Sequence, residues 1–139
     1  IVAGILYMVV GKLSDGRKYK EKLMITGYVL NAIFTFGYLF VSSTIHLFIV
    51  QAGLGIAAAL ATPTWNALYA KHEDKKHDGY QWGLAGGEAQ IFTGIAVVTG
   101  GLIVSYLSFN VLFVTMGIIQ IIAAIYQAQI FNVKLRKTH

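Results

Sequence analysis

The 139-residue chain is 56% hydrophobic and only 12% charged, where a soluble domain carries roughly 25%, so composition excludes an ordinary water-soluble fold. The formal net charge of +5 is clumped at residues 12–22, 71–78 and 134–137, with Glu88 standing alone; that distribution fits an anionic lipid surface, and no nucleic-acid partner is expected. With no cysteine, the chain has neither disulfides nor thiolate metal sites.

The opening "IVAGILYMVV" is about half as long as a membrane span requires. It lacks the basic n-region and small-residue cleavage site of a signal peptide and reads as the tail of a helix cut short by a fragment boundary. Behind it, "GKLSDGRKYKEK" packs seven charged residues into twelve positions. Gly11 is expected to let the backbone turn tightly as it leaves the membrane. Asp15 can sit against a positive helix N-terminus or a basic partner, and the lysines hold the loop at an anionic leaflet.

The next uncharged stretch is too long for one crossing. Spans at 23–43 and 46–70 divide it, with the polar "SSTIH" as the hairpin between them. In the second span Gly53, Ala57 and Ala61 recur at i, i+4 and i+8, which lets helices approach closely, and Pro63 is expected to kink the helix. The segment "KHEDKKH" does not read as a metal site, because His72 and His77 lie five residues apart, about 140° around a helix. Spans at 85–106 and 109–132 close the chain, joined at "SFN". The spacing therefore predicts an all-α integral membrane protein, a single bundle of about five transmembrane helices with the one at 1–10 truncated.

Alternating crossings put all three charged loops on one side and both short hairpins on the other. The first loop holds five basic residues against two acids and the tail holds three, while the hairpins have neither Lys nor Arg. The positive-inside rule then places the loops and the C-terminus in the cytoplasm. Trp65, Tyr69, Tyr80 and Trp82 bracket the middle loop, where amphipathic rings favour the headgroup level.

Polar groups at membrane depth are the candidate functional residues. Glu88 is the one acid inside an apolar span; it reads either as a coupling or binding group or as a helix-start charge favoured by the macrodipole. Gln51, Asn66, Gln90, Thr93, Gln120 and Gln127 can line an aqueous cavity or tie helices together, with Gln51 and Gln120 favoured for the cavity. Tyr28, Asn31 and Thr35 share that ambiguity. No nucleophile–base pair, carboxylate pair or phosphate-binding loop is present, so the chain reads as no enzyme, with no catalytic residue, cofactor or metal.

The charged loop resembles the cytoplasmic signature of the major facilitator superfamily (MFS), matching at Gly11, Leu13, Ser14, Asp15 and the basic Lys20 and departing at Gly16, Lys18 and Tyr19. Residues 49–68 resemble the family's glycine-rich fourth or tenth helix, with Gln51 where drug exporters often have Arg. Ala96 and Val97 stand where the antiporter signature has Gly-Pro. The resemblance implies half of a twelve-helix MFS-type fold, here helices eight to twelve, with Asp15 acting in a latch that gates the cytoplasmic side. It further implies a secondary active transporter of a small-molecule substrate, working by alternating access in the plasma membrane with a proton or sodium ion. Its partners are then the lipid bilayer and the missing half of the transporter. Read without the resemblance, the residues also allow a small oligomeric membrane protein acting as a channel or scaffold.

Overall fold

In the computed structural model the described residues are 2–14, 20–72 and 74–136, and among them there is no strand. The helices are α1 (Val2–Ser14), α2 (Lys20–Gly37), α3 (Thr44–His72), α4 (Asp78–Tyr106) and α5 (Phe109–Arg136), with a 3-10 turn at Tyr38–Phe40 after α2. Four stretches, Lys20–Phe40, Thr44–His72, Asp78–Tyr106 and Phe109–Gln129, are long and apolar enough to cross a membrane. The 29 residues of α3 measure about 43 Å, beyond the roughly 30 Å of a hydrocarbon core.

Both short hairpins end in serine caps. The His46 N–H donates to Ser43 Oγ at 3.3 Å and the Val111 N–H to Ser108 Oγ at 3.3 Å, each satisfying a donor that the first turn of α3 or α5 would otherwise leave open. At the other end of the molecule α3 outlasts its apolar stretch, and α4 begins at Asp78, seven residues ahead of the expected 85. The polar joint explains the early start. Tyr69 Oη donates to the Gln81 carbonyl at 2.8 Å, and the Asp74 N–H to Gln81 Oε1 at 3.2 Å.

The helices pack in the order α1, α3, α2, α5, α4, with α2 seated between α3 and α5. Most of what they bury is small: Ala32, Ala57, Ala59 and Ala124 are buried, with Met24 and Val50 the larger exceptions, and Thr64 is the largest side chain fully enclosed. Gly27 sets the closest approach to a neighbouring backbone. A Cβ there would lie 2.8 Å from both Ala57 O and Ala61 N, so the α2–α3 crossing needs glycine. Gly53 similarly meets the Phe34 ring, and Gly117 the Phe36 ring. Bulky residues lie outside instead, with Phe92 69% and Ile122 61% exposed. Small residues inside and large apolar ones outside is the arrangement expected when lipid is the solvent.

One expectation about the backbone changes. Gly11 lies inside α1, which runs on to Ser14, so it makes no turn; three further residues able to be helical carry the helix past the apolar stretch. Pro63 lies within α3, and the helix continues nine residues beyond it to His72. Beside it Thr64 Oγ1 donates to Leu60 O at 2.6 Å, the i→i−4 bond by which a buried threonine satisfies its hydroxyl within its own helix. The topology has a direct check: Ser43→Cys and Lys75→Cys, both exposed and at opposite ends of α3, are expected to label from opposite sides with a membrane-impermeant thiol reagent, and same-side labelling would refute the crossing pattern.

Candidate functional site

Where α2, α3 and α5 meet, a cavity of about 320 Å³ is lined by Gly27, Tyr28, Asn31, Ala58, Ala61, Thr62, Trp65 and Gln120. Its location follows from the packing. Gly27 brings α2 against Ala61, and these small residues leave room that longer side chains above and below do not fill. On α3, Ala58, Thr62 and Trp65 fall at i, i+4 and i+7 and so share one face.

The lining is largely apolar surface, and the polar side chains it carries are all uncharged. Two amides, a phenol, a hydroxyl and an indole N–H surround the space, a set that can donate and accept hydrogen bonds but offers no acid, base or nucleophile. Some of this capacity is already engaged: Tyr7 Oη of α1 donates to Thr62 Oγ1 at 3.3 Å, and Asn31 Oδ1 accepts from Thr35 Oγ1 at 3.4 Å. These contacts hold Thr62 and Asn31 in place without closing the cavity. Trp65 is fixed from behind, stacked on Tyr69 at 5.1 Å; Tyr69 in turn meets Trp82 of α4 edge-on at 4.9 Å. Three of the four aromatics that bracket the middle loop thus form one connected set, whereas Tyr80 is 73% exposed.

The expected site residues are not gathered in one place. Gln120 lines the cavity, together with Tyr28 and Asn31. Gln51 lies near the opposite end of α3, where its Nε2 donates to Tyr38 Oη at 2.7 Å, and the Tyr38 ring stacks on Phe113 at 4.6 Å; there it ties α3 to α2 and α5. Glu88 is exposed on α4, a helix with no buried residue, and lines none of these spaces. Gly11 and Lys20 are half-buried at the ends of α1 and α2. Asp15 lies outside the described residues, as does the Leu13 side chain.

Thr93 opens instead on a groove between α4 and α5, with Ser105 and Met116. In the α3–α4 joint, His72 Nδ1 is 2.8 Å from Leu68 O, and His77 pairs with Asp74 at 3.4 Å. No group of three His, Asp or Glu placed to hold a metal occurs among the described residues.

Thr62 and Trp65 are the polar cavity residues that sequence reasoning passed over as such. Their signal was present in the polar continuation of the small-residue face of α3, hidden because Trp65 also suits the headgroup level.

A family model described as Major Facilitator Superfamily matches residues 1–137. No curated protein and no solved structure matches the chain.

Proposed function

We propose that this chain, which belongs to the Major Facilitator Superfamily, supplies one helical half of a secondary transporter that carries a small, uncharged polar solute by alternating access. The family is one of membrane transporters rather than enzymes and binds small-molecule substrates within the membrane, and the long apolar helices make this chain an integral membrane protein. The observation that carries the finer reading is the cavity at α2, α3 and α5, whose polar side chains are all neutral. A charged solute entering it would lose hydration without meeting a counter-charge, whereas hydroxyl or amide groups have neutral partners in Tyr28, Asn31, Thr62 and Gln120. The second half of the transporter, by this reading, completes the pathway and covers α4, none of whose residues is buried.

Orientation and gating belong to the same proposal. The basic loops lie in the cytoplasm of a cell whose plasma membrane holds the protein, and Gly11, Leu13, Asp15 and Lys20, from the end of α1 to the start of α2, carry the motif that latches that side. Glu88 is proposed as the proton-coupling group, since an acid within an apolar span is retained for a purpose. The test is uptake of candidate neutral solutes into proteoliposomes containing the assembled transporter, with and without a pH gradient. Glu88→Gln is expected to remove stimulation by the gradient while leaving exchange down a solute gradient. Stimulation that persists in Glu88→Gln would end the coupling role, and failure of every neutral solute beside successful uptake of an ion would end the substrate reading.

A further inference from the structure

Trp65 is the bulkiest side chain lining the cavity between α2, α3 and α5. An indole on a helix turns about two side-chain torsions, and a change of rotamer here would either fill that space or open it wider. What fixes the ring lies outside the cavity. Tyr69 follows Trp65 by one helical turn and covers it, with ring centroids 5.1 Å apart and planes 16° from parallel.

Tyr69 is held in turn by α4, at two points. Its ring meets Trp82 edge-on, 4.9 Å away and at 68°, and its Oη donates to the Gln81 carbonyl at 2.8 Å. A change of rotamer at Tyr69 would forfeit both contacts. The Gln81 end is itself tethered. Gln81 Oε1 accepts from the Asp74 N–H at 3.2 Å, and Asp74 Oδ1 accepts from the Lys76 N–H at 3.0 Å, so the turn between α3 and α4 fixes the first turn of α4 beside Tyr69. Farther along, α4 packs on the bundle against α5, and none of its residues is buried.

We propose that Tyr69 is a positioning residue for solute binding: with Trp82 it lets α4 set the rotamer of Trp65, and thereby the shape of the cavity. The inference rests on the reading of that cavity as the solute site. A shift of α4, the helix that the second half of the transporter is proposed to cover, then reaches the cavity wall through two ring contacts, a chain of packed side chains of the kind that carries coupling between sites. Aromatic rings that served only to sit at the headgroup level would need no mutual contact.

The chain has two tryptophans, so Trp82→Phe and Trp82→Leu each leave Trp65 as the single emitter. Phe keeps a ring against Tyr69, and Leu does not. Time-resolved anisotropy of the full chain in detergent is expected to show Trp65 immobile on the nanosecond scale in Trp82→Phe and to gain a fast component in Trp82→Leu. Uptake by the assembled transporter should give a KM about threefold to tenfold higher in Trp82→Leu than in Trp82→Phe, the worth of one aromatic pair. Tyr80→Leu, beside the set but outside it, should leave KM unchanged. Should Trp82→Leu lose helical circular dichroism, Tyr69→Phe combined with Trp82→Phe repeats both arms, since it removes only the bond to the Gln81 carbonyl. A Trp65 equally immobile in the folded variants would overturn the proposal, as would an unchanged KM where Gln120→Leu raises it. A KM that Gln120→Leu also leaves unchanged marks instead the failure of the cavity as the solute site, and the positioning role falls with it.

Discussion

Gly27→Leu is expected to separate α2 from α3 and to lower the midpoint of thermal unfolding in detergent more than any other single glycine substitution in the chain. The reason is what a side chain would meet. A Cβ at position 27 falls 2.8 Å from Ala57 O and Ala61 N and 2.9 Å from Ala61 Cβ, and the two backbone atoms cannot rotate away as a long side chain can. Relief requires the helices to move apart, which forfeits dispersion contacts along the whole crossing. Gly27→Ala should destabilise by about 2 kcal/mol and Gly27→Leu by about 4 kcal/mol, at the upper end of overpacking effects. Gly83→Ala and Gly94→Ala provide the contrast. Nothing lies within 4 Å of either position, so these should be neutral or stabilise α4 by up to about 1 kcal/mol through helix propensity. Heating followed by size-exclusion chromatography ranks the four variants. A Gly27→Ala protein as heat-resistant as the parent would show that the close crossing is not what holds these helices.

Gly27 also lines the polar cavity, so the same substitution should abolish solute uptake. Stability and function therefore meet at one glycine. The crossing that excludes a side chain at 27 is also what brings Asn31 and Thr62 to opposite sides of the cavity, and widening it would leave their hydrogen-bonding groups out of mutual reach of a small solute.

How much of this was legible follows from how local each feature is. The long apolar helices were readable because length and hydropathy are properties of a continuous segment. The hairpins were readable too, since Ser43 and Ser108 cap the helices that follow them from within the same few residues. Helix ends were less legible. Polarity alone ends a span at the hydrocarbon boundary, whereas backbone hydrogen bonding carried α1 through Gly11 and started α4 at Asp78. The cavity was legible only residue by residue. Gln120, Tyr28 and Asn31 stood out as polar groups in apolar surroundings, but their convergence depends on contacts of α2 with both α3 and α5 that no periodicity encodes. Gln51 presented the same sequence signal as Gln120. What separates them is Tyr38, thirteen residues away and placed by the 3-10 turn at the end of α2.

That separation yields the sharpest test of the site. Gln120→Leu keeps the side chain's approximate volume and removes its donor and acceptor, so a solute group that paired with the amide would lose that partner. Such a loss is worth about 1–3 kcal/mol, or roughly tenfold to a hundredfold in affinity. Uptake measured against solute concentration should therefore show KM raised at least about tenfold in Gln120→Leu, with a comparable change in Asn31→Leu. The double variant should fall short of the product of the two effects, because both amides face one small cavity and serve the same ligand. Gln51→Leu breaks the bond to Tyr38 Oη instead. It should lower stability by about 1 kcal/mol and leave KM close to that of the parent, since it removes nothing from the cavity lining. If Gln51→Leu raised KM as much as Gln120→Leu while unfolding at the parent's temperature, solute would be binding near the Tyr38 end of α3, and the cavity between α2, α3 and α5 would be a packing defect rather than a binding site.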